Sequence, residues 1–337
     1  MAKILIGFSN TAGLGARLKR GFEKNGISAD FYSFRKHPYG YESDILLKRS
    51  KNRILSYIQI LFLIIKFTIK YDILIYIGSG TALTRGNKEI KFFKKFKKKT
   101  VMVYVGCDVR IPDRVEKFEW NSCSNCSKDY MQFVGCNLET KTKRIRKEEI
   151  LFDYIFSPHE CAGYLEKKYS NILFPIDLTR FIPAQKTLDI MKKIRIIHAP
   201  SNEGYKGSIY VYDAISRLQD TYNIEFVKLQ NVNIDVLYEE INKSDLVIDQ
   251  MLVGFYGLFA IESMALSKPV ICYVREEYLE NECPIINANP DTLYEVLVSI
   301  LSNPGCLSEI GCKSRRYVEK YHADSIVAAK MLSIIQS

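Results

Sequence analysis

What most narrows the fold of this 337-residue chain is an alternation of short apolar runs with helix-length stretches that occurs twice. The first half opens with "KILIGFS", a turn "NTAGLG", a helix-like "ARLKRGFEKNG" and a second apolar run, "SADFYSF". The runs "YDILIYIG", "KTVMVYVG" and "LFDYIFS" follow, each ending near Gly, Ser or Asp. After a linker-like "FIPAQKTLDIMKK" the pattern restarts with strand "IRIIHAPS", helix "GSIYVYDAISRLQDTY", strand "IEFVKLQ", helix "VLYEEINKS" and strand "DLVIDQ". A further helix and the strand "PVICYV" complete it. Strands alternating with helices build parallel, doubly wound sheets with their loops gathered at the carboxyl ends of the strands. The expectation is an α/β chain of two Rossmann-like domains, residues 1–183 and 184–315, with a ligand-binding cleft between them. A terminal helical segment, 316–337, is expected to pack back on the first domain.

Charge divides along the same line. The chain carries 48 Lys+Arg against 38 Asp+Glu, but residues 1–182 hold 33 of the basic and 18 of the acidic side chains. A first half at +15 and a remainder at −5 suggest that one half meets an anionic surface, nucleic acid or anionic lipid. Basic clusters "KRSKNR", "KEIKFFKKFKKK" and "KTKRIRK" lie there, and the second interleaves Phe92, Phe93 and Phe96 with lysines. Individually each is explained by a solvated face; their concentration favours a membrane surface. The apolar run "ILSYIQILFLII" is too short to span a bilayer and is expected to form a buried helix leading into "DILIYIG".

The start, "MAKILIGFSN", lacks the features of a signal peptide, and nine cysteines argue for a reducing cytoplasm. Cys107, Cys123, Cys126 and Cys136 include a C-x-x-C pair and could form a structural zinc site; thiols without metal are the alternative. No HExxH, Walker loop or G-x-S-x-G motif occurs, which removes several hydrolase and NTPase classes.

Two stretches of the second half carry chemistry. In "HAPSNEGYKGS", which follows a strand and precedes a helix, His198, Ser201, Asn202, Lys206 and Gly207 fall at the carboxyl edge of the sheet. In "GFYGLFAIESMALSKPVICYV" the amides of Gly257, Leu258 and Phe259 begin a helix, and Leu258, Ile261, Glu262 and Ala265 share one face. A helix N-terminus and a nearby lysine together suit a diphosphate. Glu262 lies on the buried stripe and needs a partner, either a core salt bridge or a ligand such as the two hydroxyls of a ribose. Asp249, Gln250, Asp108 and Arg110 are strand-end polar residues suited to sugar, phosphate or backbone capping.

The segments "YKGSIYVYDAISRL" and "SDLVIDQMLVGFYGLFAIESMALSKPVICYV" resemble the donor domain of GT-B glycosyltransferases, in particular the retaining family 4, group 1 type of bacterial glycan assembly. "NTAGLG", "GCDVR", "SPHECAGYL", "FPIDLTRF" and "YVEKYHA" fall in the order expected of that family, so the resemblance covers nearly the whole chain. It implies a hexosyltransferase-like enzyme of class EC 2.4 that moves a sugar from a UDP- or GDP-sugar to a surface glycan of capsule, O-antigen or lipopolysaccharide type, with retention. Lys206 would neutralise the diphosphate and Glu262 would hold the ribose; Asp108 joins them as an expected catalytic residue. Gly13, Gly15, His198, Ser201, Asn202, Gly207, Tyr256, Gly257, Leu258 and Phe259 would complete the donor site. Retention in this group uses front-face attack in which the leaving phosphate helps to take the acceptor's proton, so the resemblance implies neither a separate base nor a catalytic cofactor. The implied partners are the nucleotide-sugar, a glycan or lipid-linked oligosaccharide and an anionic membrane surface, at the inner face of the cell membrane, and not nucleic acid. At three positions the chain departs from the family: Ser201, Gly254 and Val105 replace an arginine, a glutamate and a histidine. A non-catalytic sugar-nucleotide or glycan-binding homologue of the same fold is the alternative reading.

Overall fold

The structure is a computed structural model and describes residues 2–36, 44–112, 118–133, 135–184, 193–279 and 282–337. Most of the linker-like stretch, residues 185–192, lies outside these residues. The chain divides into two compact units: residues 1–111, 132–175 and 324–337 form one, and residues 112–131 and 176–323 the other.

The first unit contains β1 (Lys3–Phe8), α1 (Leu14–Lys24), β2 (Ser28–Ser33), β3 (Ile45–Leu46), α2 (Arg53–Lys70), β4 (Ile73–Ile77), α3 (Lys88–Lys95) and β5 (Lys99–Val103). After residues 112–131, which include the start of α4 (Lys128–Phe133), it continues through α5 (Leu138–Leu151), β6 (Tyr154–Ser157), α6 (His159–Ala162) and β7 (Ser170–Asn171). Its seven strands pair in parallel in the order β3-β2-β1-β4-β5-β6-β7. β4 is buried at every position, as a strand covered on both faces requires. One face packs Ile4, Ile6, Ile73, Ile75, Ile77, Val101 and Val103 against Leu14, Leu18 and Phe22 of α1 and against the last helix, where Val327, Ala328, Met331 and Ile335 are buried. That helix, α13 (Asp324–Gln336), approaches α1 so closely that a Cβ on Gly21 would lie 2.2 Å from the Asp324 carbonyl oxygen.

Contrary to the sequence expectation, α2 is not buried. Its apolar residues run all round the helix, and the sheet can cover only one stripe: Ile64, Phe67 and Thr68 are buried, with Phe67 packed on Phe8, Tyr32 and Tyr71. The rest of its apolar surface faces outward, from Ile54, 72% exposed, through Tyr57, Ile58 and Phe62 to Ile69 at 79%.

The second unit contains β8 (Ile194–His198), α7 (Glu203–Lys206), α8 (Ser208–Leu218), β9 (Ile224–Lys228), α9 (Ile234–Lys243), β10 (Leu246–Ile248), α10 (Leu258–Ala265), β11 (Val270–Cys272), β12 (Ile286–Asn287), α11 (Leu293–Ser302) and α12 (Cys306–Tyr321). Its five strands are parallel in the order β12-β11-β10-β8-β9. Ile196, Leu246, Ile248 and Ile271 on one sheet face meet Val211, Ile215 and Leu218 of α8 and Leu293 and Leu297 of α11. Fully burying each such side chain contributes about 1.5–3 kcal/mol. Below α10, Gly311 of α12 lets the two helices touch, since a Cβ there would meet the Ser267 carbonyl oxygen at 2.2 Å.

Candidate functional site

The carboxyl edge of the second sheet is assembled around β8 and β10. His198, the last residue of β8, is fully buried; its Nδ1 lies 2.8 Å from the Ile248 carbonyl oxygen and its Nε2 2.8 Å from the Ser208 hydroxyl. A carbonyl can only accept, so Nδ1 carries the proton and Nε2 accepts from Ser208. Burial lowers the His198 pKa to about 4, so the ring is neutral and ties the two strand ends to the start of α8. His198 is thus a brace beneath the site.

The loop after β8 is shaped by backbone chemistry. Asn202 caps α7 by accepting the Tyr205 amide at 2.8 Å, and Gly207 breaks the helix with φ +76°. No side chain fits there in any case, because a Cβ on Gly207 would lie 2.8 Å from Leu252. The turn delivers Lys206 to the strand ends, where its Nζ lies 2.7 Å from Oδ1 of Asp249. Asp249, just beyond β10, is almost fully buried, and its Oδ2 stands 3.5 Å from the amide of Gly257, the residue that caps α10. The Asp249 carboxylate therefore occupies the two donors, an ammonium and a helix-start amide, that suit a phosphate. Gly257 and Leu258 remain partly exposed, so this helix start is open to a ligand.

One turn into α10, Glu262 is buried and its Oε1 accepts from the Tyr238 hydroxyl of α9 at 3.0 Å. The ring of Tyr238 packs on Phe181 at 4.8 Å between centroids, which holds the hydroxyl in place. Lys206, Asp249, Gly257 and Glu262 come together on one sheet edge, within one unit.

Other residues named from the sequence are placed differently. Tyr256 turns its hydroxyl to Tyr317 and His322 at 3.1 and 3.2 Å, in the interior beneath the turn. Ser201 is exposed, and Phe259 lies with its ring 5.7 Å from the Lys206 ammonium. In the first unit Gly13 adopts φ +74° at the start of α1, whereas Gly15 is small because a Cβ there would sit 2.3 Å from the Phe31 ring. Gly15 thus serves packing between helix and sheet. Asp108 accepts the amides of Ser79 at 2.9 Å and Gly106 at 2.6 Å, so both its oxygens organise loop backbone. Arg110 forms a two-pronged pair with Glu160, 2.7 Å at each contact.

The zinc expectation is not supported by the structure. Cys107 and Cys136 belong to the first unit, Cys123 and Cys126 to the second. Lys141 donates to the Cys107 carbonyl at 2.8 Å and lies 3.2 Å from the Cys136 sulfur. Among the described residues no group of three His, Cys, Asp or Glu side chains is arranged to hold a metal.

Sequence reasoning missed Tyr238, Arg275 and a buried carboxylate of the first unit. That carboxylate, Glu148, accepts from the Ser79 hydroxyl at 2.6 Å and the Gly80 amide at 2.9 Å, and burial raises its pKa. A strand-end position was the only sequence signal for Arg275; Tyr238 and Glu148 lie on helices whose pattern does not reveal what they face.

No family model matches the chain, and no curated protein matches it. Solved structures do. Sucrose-phosphate synthase from Thermosynechococcus elongatus is similar over 100% of this chain and 98% of its own, at 15% identity and a TM-score of 0.66. HepE from Anabaena, solved in complex with UDP-glucose, covers 99% and 100% at 12% identity and a TM-score of 0.63. WaaG, a glycosyltransferase involved in lipopolysaccharide biosynthesis, covers 99% of both chains at 13% identity and a TM-score of 0.51. With its two parallel sheets, the chain has the GT-B fold.

Proposed function

We propose that this GT-B chain is a retaining glycosyltransferase that moves a sugar from a UDP- or GDP-sugar to a lipid-linked surface glycan of capsule or O-antigen type. The observation that carries the reading is the meeting of Lys206, the open start of α10 and the buried Glu262 at one sheet edge. When the bond between the anomeric carbon and the diphosphate oxygen breaks, negative charge grows on the leaving diphosphate. Fixed donors aimed at that charge stabilise the transition state more than the ground state. Lys206 and the amides at Gly257 and Leu258 are such donors, and Glu262 anchors the far end of the nucleotide through its ribose. The UDP-glucose bound by HepE and the lipopolysaccharide role of WaaG support the donor and acceptor classes by likeness of fold.

Two features support work at an anionic membrane surface. No acidic residue lies between Asp44 and Asp72, while Lys48, Arg49, Lys51, Arg53, Lys66 and Lys70 flank or lie on the exposed apolar α2. An apolar helix face with basic flanks is suited to lie in a lipid interface, and no helix of the described residues is long and apolar enough to cross a membrane.

Thermal-shift and calorimetric titration with UDP, GDP and their sugars tests the donor site, because a ligand of the native state raises stability by mass action. One nucleoside diphosphate and its sugars should stabilise the chain; no shift with any of them at millimolar concentration would remove the reading.

A further inference from the structure

Beside Gly254, on the turn that leads into α10, lies a cation with no ionic partner among the described residues. Arg275, three residues beyond β11, is only 5% exposed, yet among the described residues no carboxylate forms an ion pair with it. A buried guanidinium keeps its charge and is costly without a counter-charge. Other buried cations of this unit are satisfied: Lys206 by Asp249, and Lys268 by the carbonyls of Asn242 and Ser244. Arg275 instead stacks on the Phe118 ring at 3.7 Å, while its Nε has no hydrogen-bond partner.

Its position is set by Gly254. The Arg275 amide donates to the Gly254 carbonyl at 3.1 Å, and a Cβ on Gly254, whose φ is +79°, would lie 2.5 Å from the guanidinium carbon. Any side chain at 254 would therefore displace the guanidinium. Arg275 also lines a cavity of about 470 Å³ shared with Tyr273, Asn287 and Asn289; the carboxylates of Glu276 and Glu277 at this cavity belong to exposed residues.

A nucleotide-sugar is linear, running from ribose through diphosphate to sugar. With the ribose at Glu262 and the diphosphate at the start of α10, the sugar must lie beyond that start, on the turn from Gln250 to Gly257 into which Arg275 is pressed. Resting on the donor reading above, we infer that the transferred sugar carries a carboxylate, so that the donor is a nucleoside diphosphate uronic acid and Arg275 is the residue that selects it. A planar guanidinium matches a carboxylate in two-pronged geometry, and aromatic stacking fixes its plane.

The test is calorimetric titration of the full chain with UDP, UDP-glucose and UDP-glucuronate, and in parallel with GDP, GDP-mannose and GDP-mannuronate, with free glucuronate as a control for a carboxylate not joined to a donor. With the nucleotide that binds, the uronate form should bind at least tenfold tighter than the neutral sugar. Arg275→Gln should bring the two affinities together, and Arg275→Lys should keep part of the preference; binding of the bare diphosphate shows that the site is still formed in each variant. Equal affinity for neutral and acidic sugars in the unaltered chain, a preference that survives in Arg275→Gln, or glucuronate binding as tightly as the nucleotide form would overturn the inference while leaving the donor site standing. Absence of binding by UDP, GDP and all their sugars would overturn the donor reading and this inference with it.

Discussion

Oδ1 of Asp249 lies 2.7 Å from the Nζ of Lys206, and both groups are sequestered from solvent, with the Asp249 side chain fully buried and the Lys206 side chain 11% exposed. The pair orients the ammonium in the free protein. It also places a negative charge where a diphosphate is to bind, so the two halves of the pair should have opposite effects on ligand affinity.

Lys206→Ala should weaken binding of the nucleoside diphosphate by at least tenfold and destabilise the fold by about 3 kcal/mol, because it leaves the Asp249 carboxylate buried and unpaired. Asp249→Asn keeps the shape, removes the competing charge and should tighten diphosphate binding a few-fold. Calorimetry on both variants checks the signs; a parallel loss in both would show that Asp249 serves the ligand rather than Lys206.

Glu262→Gln preserves the contact with Tyr238 but loses the charge that strengthens bonds to ribose hydroxyls. Its cost should be about 1.5–3 kcal/mol in nucleotide affinity, and it should be much smaller for a 2′-deoxy nucleotide. Equal losses for ribo and deoxy forms would mean that Glu262 supports the helix and not the ribose.

The pKa of His198 falls on folding from its ordinary value of 6.5 to about 4. Between those values the unfolded chain binds more protons than the folded one, so this residue's contribution is fully present above pH 6.5 and is lost as pH falls toward 4. The loss should amount to on the order of 3 kcal/mol. Urea unfolding from pH 7 to pH 4 should show a steeper decline in the unaltered chain than in His198→Gln.

Gly15→Ala should lower stability by about 1–3 kcal/mol through overpacking against Phe31, with donor affinity unchanged in the folded fraction. Phe31→Leu should rescue part of that loss. A glycine required by the ligand would show the reverse, with stability kept and affinity lost.

Liposomes containing anionic lipid should bind the protein at low salt, and binding should weaken as salt is raised. Lys94 and Lys98 already pair with Asp153 and Asp72, at 2.7 and 3.5 Å, so the lysines to neutralise are Lys91, Lys95 and Lys97. Each should contribute on the order of 1 kcal/mol. A second variant, Ile58→Ser with Phe62→Ser on α2, should reduce binding at all salt concentrations, since its contribution is apolar. Equal binding to neutral and anionic liposomes by the unaltered chain would rule out the electrostatic part.

Alternation of apolar runs with helix-length segments was enough to specify two parallel sheets, because burial on both faces of a strand is written into consecutive residues. The same local logic brought out Lys206, Gly257 and Glu262, whose places at strand ends and a helix start follow from their own neighbours in sequence. Partners were not legible in that way. That Asp249 engages Lys206, Tyr238 holds Glu262 and Arg275 fills the space left by Gly254 depends on residues 43, 24 and about twenty positions apart, brought together only when separate βα units pack. The exposure of α2 and the division of the four cysteines between the two units were decided in the same way. A run of apolar residues states how much surface could be buried, but how much is covered depends on what the rest of the chain places against it.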